Sequence, residues 1–172
     1  MKRKITVGLT VFSLITLVVG IGLWQLGTMT STACRQAPNP IPGEKRVGAS
    51  QYFSFSYKTA REKFLNAARV ADCNIDSIQN PYLGPDGESL YMDLAFVGAE
   101  NAKRTVVLSS GTHGVEGFAV SGIQTGLLRE GIASRLPADL NLLMIHAINP
   151  YGMAHLRRFT EDNIDLNRNF RD

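Results

Sequence analysis

From Ile5 to Leu26 the chain carries no charged residue. A run of that length matches the roughly 20 apolar residues a spanning helix needs and exceeds the about 7–15 of a cleavable signal. Lys2, Arg3 and Lys4 precede it and Trp24 lies near its far end, the order expected of cytoplasmic charges followed by an interfacial aromatic. Residues 1–34 are therefore expected to be a membrane anchor or signal segment. The anchor reading places a transmembrane helix first and the rest of the chain outside the cytoplasm, in the periplasm if the organism is Gram-negative. Cys34 follows Thr32-Ala33, but Ser31 stands where a lipoprotein cleavage site usually carries an aliphatic residue.

Residues 35–50, RQAPNPIPGEKRVGAS, hold three prolines and two glycines without a hydrophobic period and read as a linker. A domain is expected over 51–172. Within it, Tyr57, Ala60, Phe64, Ala67, Ala68 and Ala71 form one helical stripe behind Ser56, a suitable N-cap. A short β-like piece spans Ile75–Ile78. Gly84-Pro85-Asp86-Gly87 marks a turn, and the alternation Leu90, Met92, Leu94, Phe96 predicts a strand.

Residues 105–110, TVVLSS, read as a buried strand, and GTHGVEG follows as a glycine-flanked loop. A helix is expected from Phe118 to Arg129, stopping at Gly131. Residues 140–148, LNLLMIHAI, predict a second buried strand, and Asn149-Pro150-Tyr151-Gly152 turns away from it. Strand, loop, helix, strand is a βαβ unit with a parallel pair. Ligands of such sheets sit beyond the carboxyl ends of the strands, where both loops lie.

Charge narrows the functions. The sequence holds 18 Lys and Arg against 15 Asp and Glu. Removing the three N-terminal cations leaves 15 against 15, so the domain has no electrostatic footprint for nucleic acid. Two cysteines, Cys34 and Cys73, cannot build a disulfide framework or a zinc ribbon. One pairing is open to them in an oxidising compartment, but an unpaired, partly buried Cys73 is expected.

Two clusters carry chemistry. His113 and Glu116 are spaced so that, on a tight loop, an imidazole and a carboxylate converge on one cation. Zinc accepts both, and a catalytic site takes three protein ligands plus water. The second cluster holds Arg157, Arg158 and the run EDNIDLNRNF from Glu161 to Phe170. Guanidinium groups suit a carboxylate or a developing oxyanion, although a charge-mixed, solvated loop has the same composition. Ser109-Ser110-Gly111 is no nucleophile elbow and H-E-x-x-H is absent, which sets aside serine-hydrolase and self-contained zincin readings.

H-x-x-E, N-P-x-G, then Arg followed by D-L-N-R-N-F together resemble the carboxypeptidase A-like zinc peptidases. That superfamily includes the aspartoacylase and succinylglutamate desuccinylase branch, and the wording here is nearest to an uncharacterised bacterial branch. The resemblance covers about residues 50–172. It implies an α/β fold, a mixed, mainly parallel sheet with helices on both faces. It implies Zn2+ on His113 and Glu116, Arg158 polarising the scissile carbonyl, and Asn167 and Arg168 gripping the substrate's carboxylate.

The family's third zinc ligand, a His, and its general base, a Glu, lie further downstream than Asp172. His146 and His155 are the other histidines, and packing or surface roles are expected for them. The expected function is thus a metallo-carboxypeptidase-like hydrolase of peptides, incomplete and impaired as this chain. Alternatives are a small-molecule deacylase of the aspartoacylase type acting on an acyl-amino acid, and a non-catalytic, membrane-tethered binding protein.

Overall fold

In a computed structural model of the chain, residues 48–99 and 101–169 are described. The predicted anchor and most of the linker lie outside them. Among the described residues no helix is long and apolar enough to cross a membrane.

Helix α1 spans Tyr57–Val70. Its apolar stripe buries Tyr57, Ala60, Phe64, Ala67 and Ala68, and the Ser56 hydroxyl accepts from the Thr59 amide at 3.3 Å. The far end closes as a Schellman cap. Asp72 takes φ 53°, its amide donates to the Arg69 carbonyl, and the Cys73 amide donates to the Ala68 carbonyl at 2.9 Å. Cys73 is disulfide-bonded, not the unpaired thiol expected, so its packing does not dictate its redox state.

Strands β1, Asn74–Leu83, and β2, Ser89–Gly98, form an antiparallel hairpin around the predicted turn, where Gly87 has φ 79°. Strand β3, Arg104–Ser109, leads through helix α2, Gly117–Arg129, to strand β4, Leu140–His146. The sheet order is β1-β2-β4-β3. The β3–β4 pair is parallel, as the βαβ pattern required. The other two pairs are antiparallel, so the sheet is mixed but not mainly parallel. The long β1–β2 hairpin is the cause: it adds its second strand directly beside β4.

One face of the sheet carries the core. Phe64, Leu65, Ala67, Ala68 and Ala71 from the α1 side meet Ala95, Val97, Leu142 and Met144 of the sheet and Leu128 of α2. Register places Asp93, Ala95 and Val97 on this face. Of the Leu90, Met92, Leu94, Phe96 alternation that announced β2, Leu90 is fully buried, whereas Met92, Leu94 and Phe96 lie on the other, less buried face. Asp93 is fully buried because Arg61 grips both its oxygens at 2.7 and 2.9 Å and Ser77 donates to it at 2.6 Å.

Strand β3 is not the buried strand expected. Among the described residues it is an edge strand, and Val106 and Val107 are 48% and 57% exposed. Residues Ala49–Tyr52 form a 3-10 turn, and Tyr52 and Phe53 press against α2 at Gly126 and Gly122. A side chain at either glycine would collide with those rings.

Candidate functional site

The loop after β3 is tied down on both sides. Ser110 donates its amide to the Ile145 carbonyl at 2.9 Å, and Gly111 accepts from the Asn149 amide at 2.8 Å. Gly111 has φ 69°, and a Cβ there would stand 2.5 Å from that of Ala147. Gly114 donates to the Arg157 carbonyl at 3.0 Å, and its Cβ would run into the Gly152 backbone. Glycine is required at both positions, by conformation in the first and by space in the second. These constraints fix His113 between them.

The segment after β4 is not only a turn. Asn149 caps a short helix α3, Pro150–Ala154, by accepting from the Gly152 amide at 2.7 Å. Proline in its first turn fits the missing amide donors there. This helix and the following chain present Arg157 and Arg158 beside the His113 loop.

His113 is held through both ring nitrogens. Nδ1 lies 2.9 Å from Glu116 Oε2, and Nε2 lies 2.9 Å from Asp165 Oδ1. Arg158 Nε donates to Asp165 Oδ2 at 2.9 Å, the Asn167 amide donates to Oδ1 at 3.0 Å, and Arg168 Nε stands 3.5 Å from Oδ2. The His113 bond first, and the Arg158 bond second, hold the Asp165 carboxyl down to about 2, because both favour the charged form. His113 and Asp165 are sheltered, whereas the Glu116 side chain is 71% and that of Arg168 73% exposed.

The predicted site residues His113, Glu116, Arg158, Asn167 and Arg168 therefore gather in one place, around Asp165. That carboxylate was missed in the sequence, where it read as one charge of a solvated loop. Its signal was its place two residues before Asn167, on the return of a turn that Thr160 closes by accepting the Asn163 amide.

His146 and His155 stand elsewhere. His146 is buried, stacks on Phe64 with centroids 4.8 Å apart, and meets Ser121 Oγ at 2.9 Å through Nε2. Burial pushes its pKa down to about 4. His155 points its Nε2 at the Leu83 carbonyl, 3.1 Å away. Arg157 donates to Asn163 Oδ1 at 3.2 Å, apart from the Asp165 cluster.

Two features suit a metal ion. Nδ1 of His113 and Oε2 of Glu116 converge to 2.9 Å, near the roughly 3.3 Å between neighbouring ligand atoms of tetrahedral zinc. Asp165 on the opposite ring nitrogen supplies the carboxylate that orients metal-binding histidines. Among the described residues, however, no three His, Cys, Asp or Glu side chains surround one point as a metal site would.

A family described as "Protein of unknown function (DUF2817)" matches residues 53–172. No curated protein matches the chain. Similar solved structures include the glutaminyl cyclase of Porphyromonas gingivalis, at 9% identity and TM-score 0.40, over 60% of this chain and 43% of that one. Those of Tannerella forsythia (12%, 0.42, 64% and 45%) and Macrostomum lignano (12%, 0.41, 69% and 44%) are comparable. All three are enzymes, and the chain spans less than half the length of each.

The family match overturns the carboxypeptidase A-like assignment: the family that matches residues 53–172 is a different one, described as of unknown function. The metallo-carboxypeptidase function falls with it, as do the aspartoacylase-type and non-catalytic binding alternatives. The motifs are short, and they specify how a few side chains meet, not which family owns them.

Proposed function

The chain belongs to the DUF2817 family, and we propose that the Asp165 cluster is the centre of a zinc-assisted enzyme acting by acyl transfer at a carbonyl carbon. The observation that carries this reading is His113, gripped through one nitrogen by a sheltered carboxylate and facing an exposed carboxylate through the other. A purely structural histidine has no need of both.

In this reading His113 Nδ1 and Glu116 hold Zn2+, which when bound supplies a Lewis acid for a carbonyl oxygen. Asp165 accepts a hydrogen bond from the Nε2–H of His113, which fixes the tautomer that leaves Nδ1 free to ligate. Arg158, 43% exposed and anchored through Nε, faces negative charge that develops on the reacting oxygen. Asn167 and Arg168 take an anionic group of the substrate, and the exposure of the Arg168 guanidinium supports that role. The disulfide at Cys73 supports an extracytoplasmic site behind an N-terminal membrane anchor.

Zinc content by elemental analysis, after dialysis against limiting metal, tests the reading. More zinc retained by the wild type than by His113→Ala is the expected result. Equal content in the two proteins would remove His113 as a ligand and the proposal with it.

A further inference from the structure

We propose that Tyr82, Tyr151 and Arg157 form a substrate subsite beside the His113 loop that takes a flat aromatic group. Tyr151 and His155 lie one helical turn apart, with centroids separated by 4.1 Å and ring planes tilted by 31°. Tyr82, at the end of β1, meets Tyr151 edge-on at 6.1 Å. The Arg157 guanidinium stands 5.9 Å from the Tyr151 centroid. His155 ties the assembly to the hairpin through the Leu83 carbonyl.

The position of this shelf gives it a purpose. The Arg157 carbonyl accepts from Gly114 in the loop that carries His113. The Arg157 side chain donates to Asn163, two residues before Asp165. The shelf thus adjoins both segments that build the cluster. Tyr151 packs partly against the core, whereas Tyr82 is 47% exposed and supplies the open surface of the shelf. Ring faces and edges with a guanidinium among them favour an aromatic partner over an aliphatic one, through stacking and cation–π contact.

The inference rests on the His113 cluster being a catalytic centre, and its test separates the two. Tyrosine ring resonances of the full chain are followed by NMR during titration with N-acetyl-L-tyrosinamide and, separately, N-acetyl-L-alaninamide. The aromatic amide is expected to bind about tenfold more tightly. Tyr82→Ala and Arg157→Gln are each expected to remove most of that preference; the second keeps the backbone carbonyl that Gly114 needs. His113→Ala should lose zinc yet keep the preference. Equal affinities for the two amides in the wild type overturn the subsite whatever the zinc result. A preference unchanged in both shelf variants overturns it too.

Discussion

Acid should destabilise this domain in large part through one side chain, His146. Burial against Phe64 pushes its pKa from 6.5 to about 4; the Arg61 charge acts in the same direction and Asp93 opposes. In the unfolded chain the imidazole protonates near 6.5, while in the fold it stays neutral until about pH 4. The unfolded state therefore binds the extra proton between those values. Stability is full above pH 6.5 and falls as pH drops towards 4. At about 1.36 kcal/mol per unit, the complete loss is on the order of 3 kcal/mol. At pH 4.5 most of that loss, about 2–3 kcal/mol, has already occurred. That is a large share of the about 5–15 kcal/mol that holds a domain together.

The assay is urea unfolding followed by circular dichroism at pH 7 and pH 4.5, in wild type and in His146→Gln. Glutamine can still meet the Ser121 hydroxyl but does not titrate. Carboxylates common to both proteins cancel in the comparison. The wild type should lose about 2–3 kcal/mol more than the variant on acidification. Parallel losses in the two proteins would refute a neutral, buried His146 as the source of acid sensitivity.

Three more predictions follow from the geometry. Asp165→Ala should weaken zinc binding about 10–100-fold, measured by competition with a chelating dye, because the partner that orients His113 is gone; unchanged affinity would separate Asp165 from the metal. Arg61→Ala should cost about 3–5 kcal/mol in urea unfolding, since it strands the buried Asp93 charge. A loss below about 1 kcal/mol would mean that the pair behaves as an exposed one. Gly111→Ala should destabilise by more than about 1 kcal/mol, from the positive φ and the Ala147 contact together, and the chemical shift of His113 should move with it; an unperturbed His113 spectrum would mean that the loop absorbs the change.

Local periodicity made much of the fold legible. The α1 stripe with its Ser56 cap, the turn at Gly87, the stop at Gly131 (φ 70°) and the parallel βαβ pair all rest on residues near one another in sequence. What failed depends on distant pairing. Nothing local says that β2 inserts beside β4 and leaves β3 at the edge, so TVVLSS looked buried. Nor does alternation reveal which face a strand buries: Asp93 points inward because Arg61, 32 positions away, neutralises it. At the site the loop glycines and H-x-x-E were readable because their chemistry is local. Asp165 was not, since its partner His113 lies 52 positions away.

The sharing of Asp165 has a consequence for how this centre can change. One oxygen serves an imidazole and the other a guanidinium, so the two groups cannot be tuned independently. Any substitution that shifts this carboxylate disturbs both together. Redesign of the site must therefore start from the arginine's far end or from Glu116, the members with room to move.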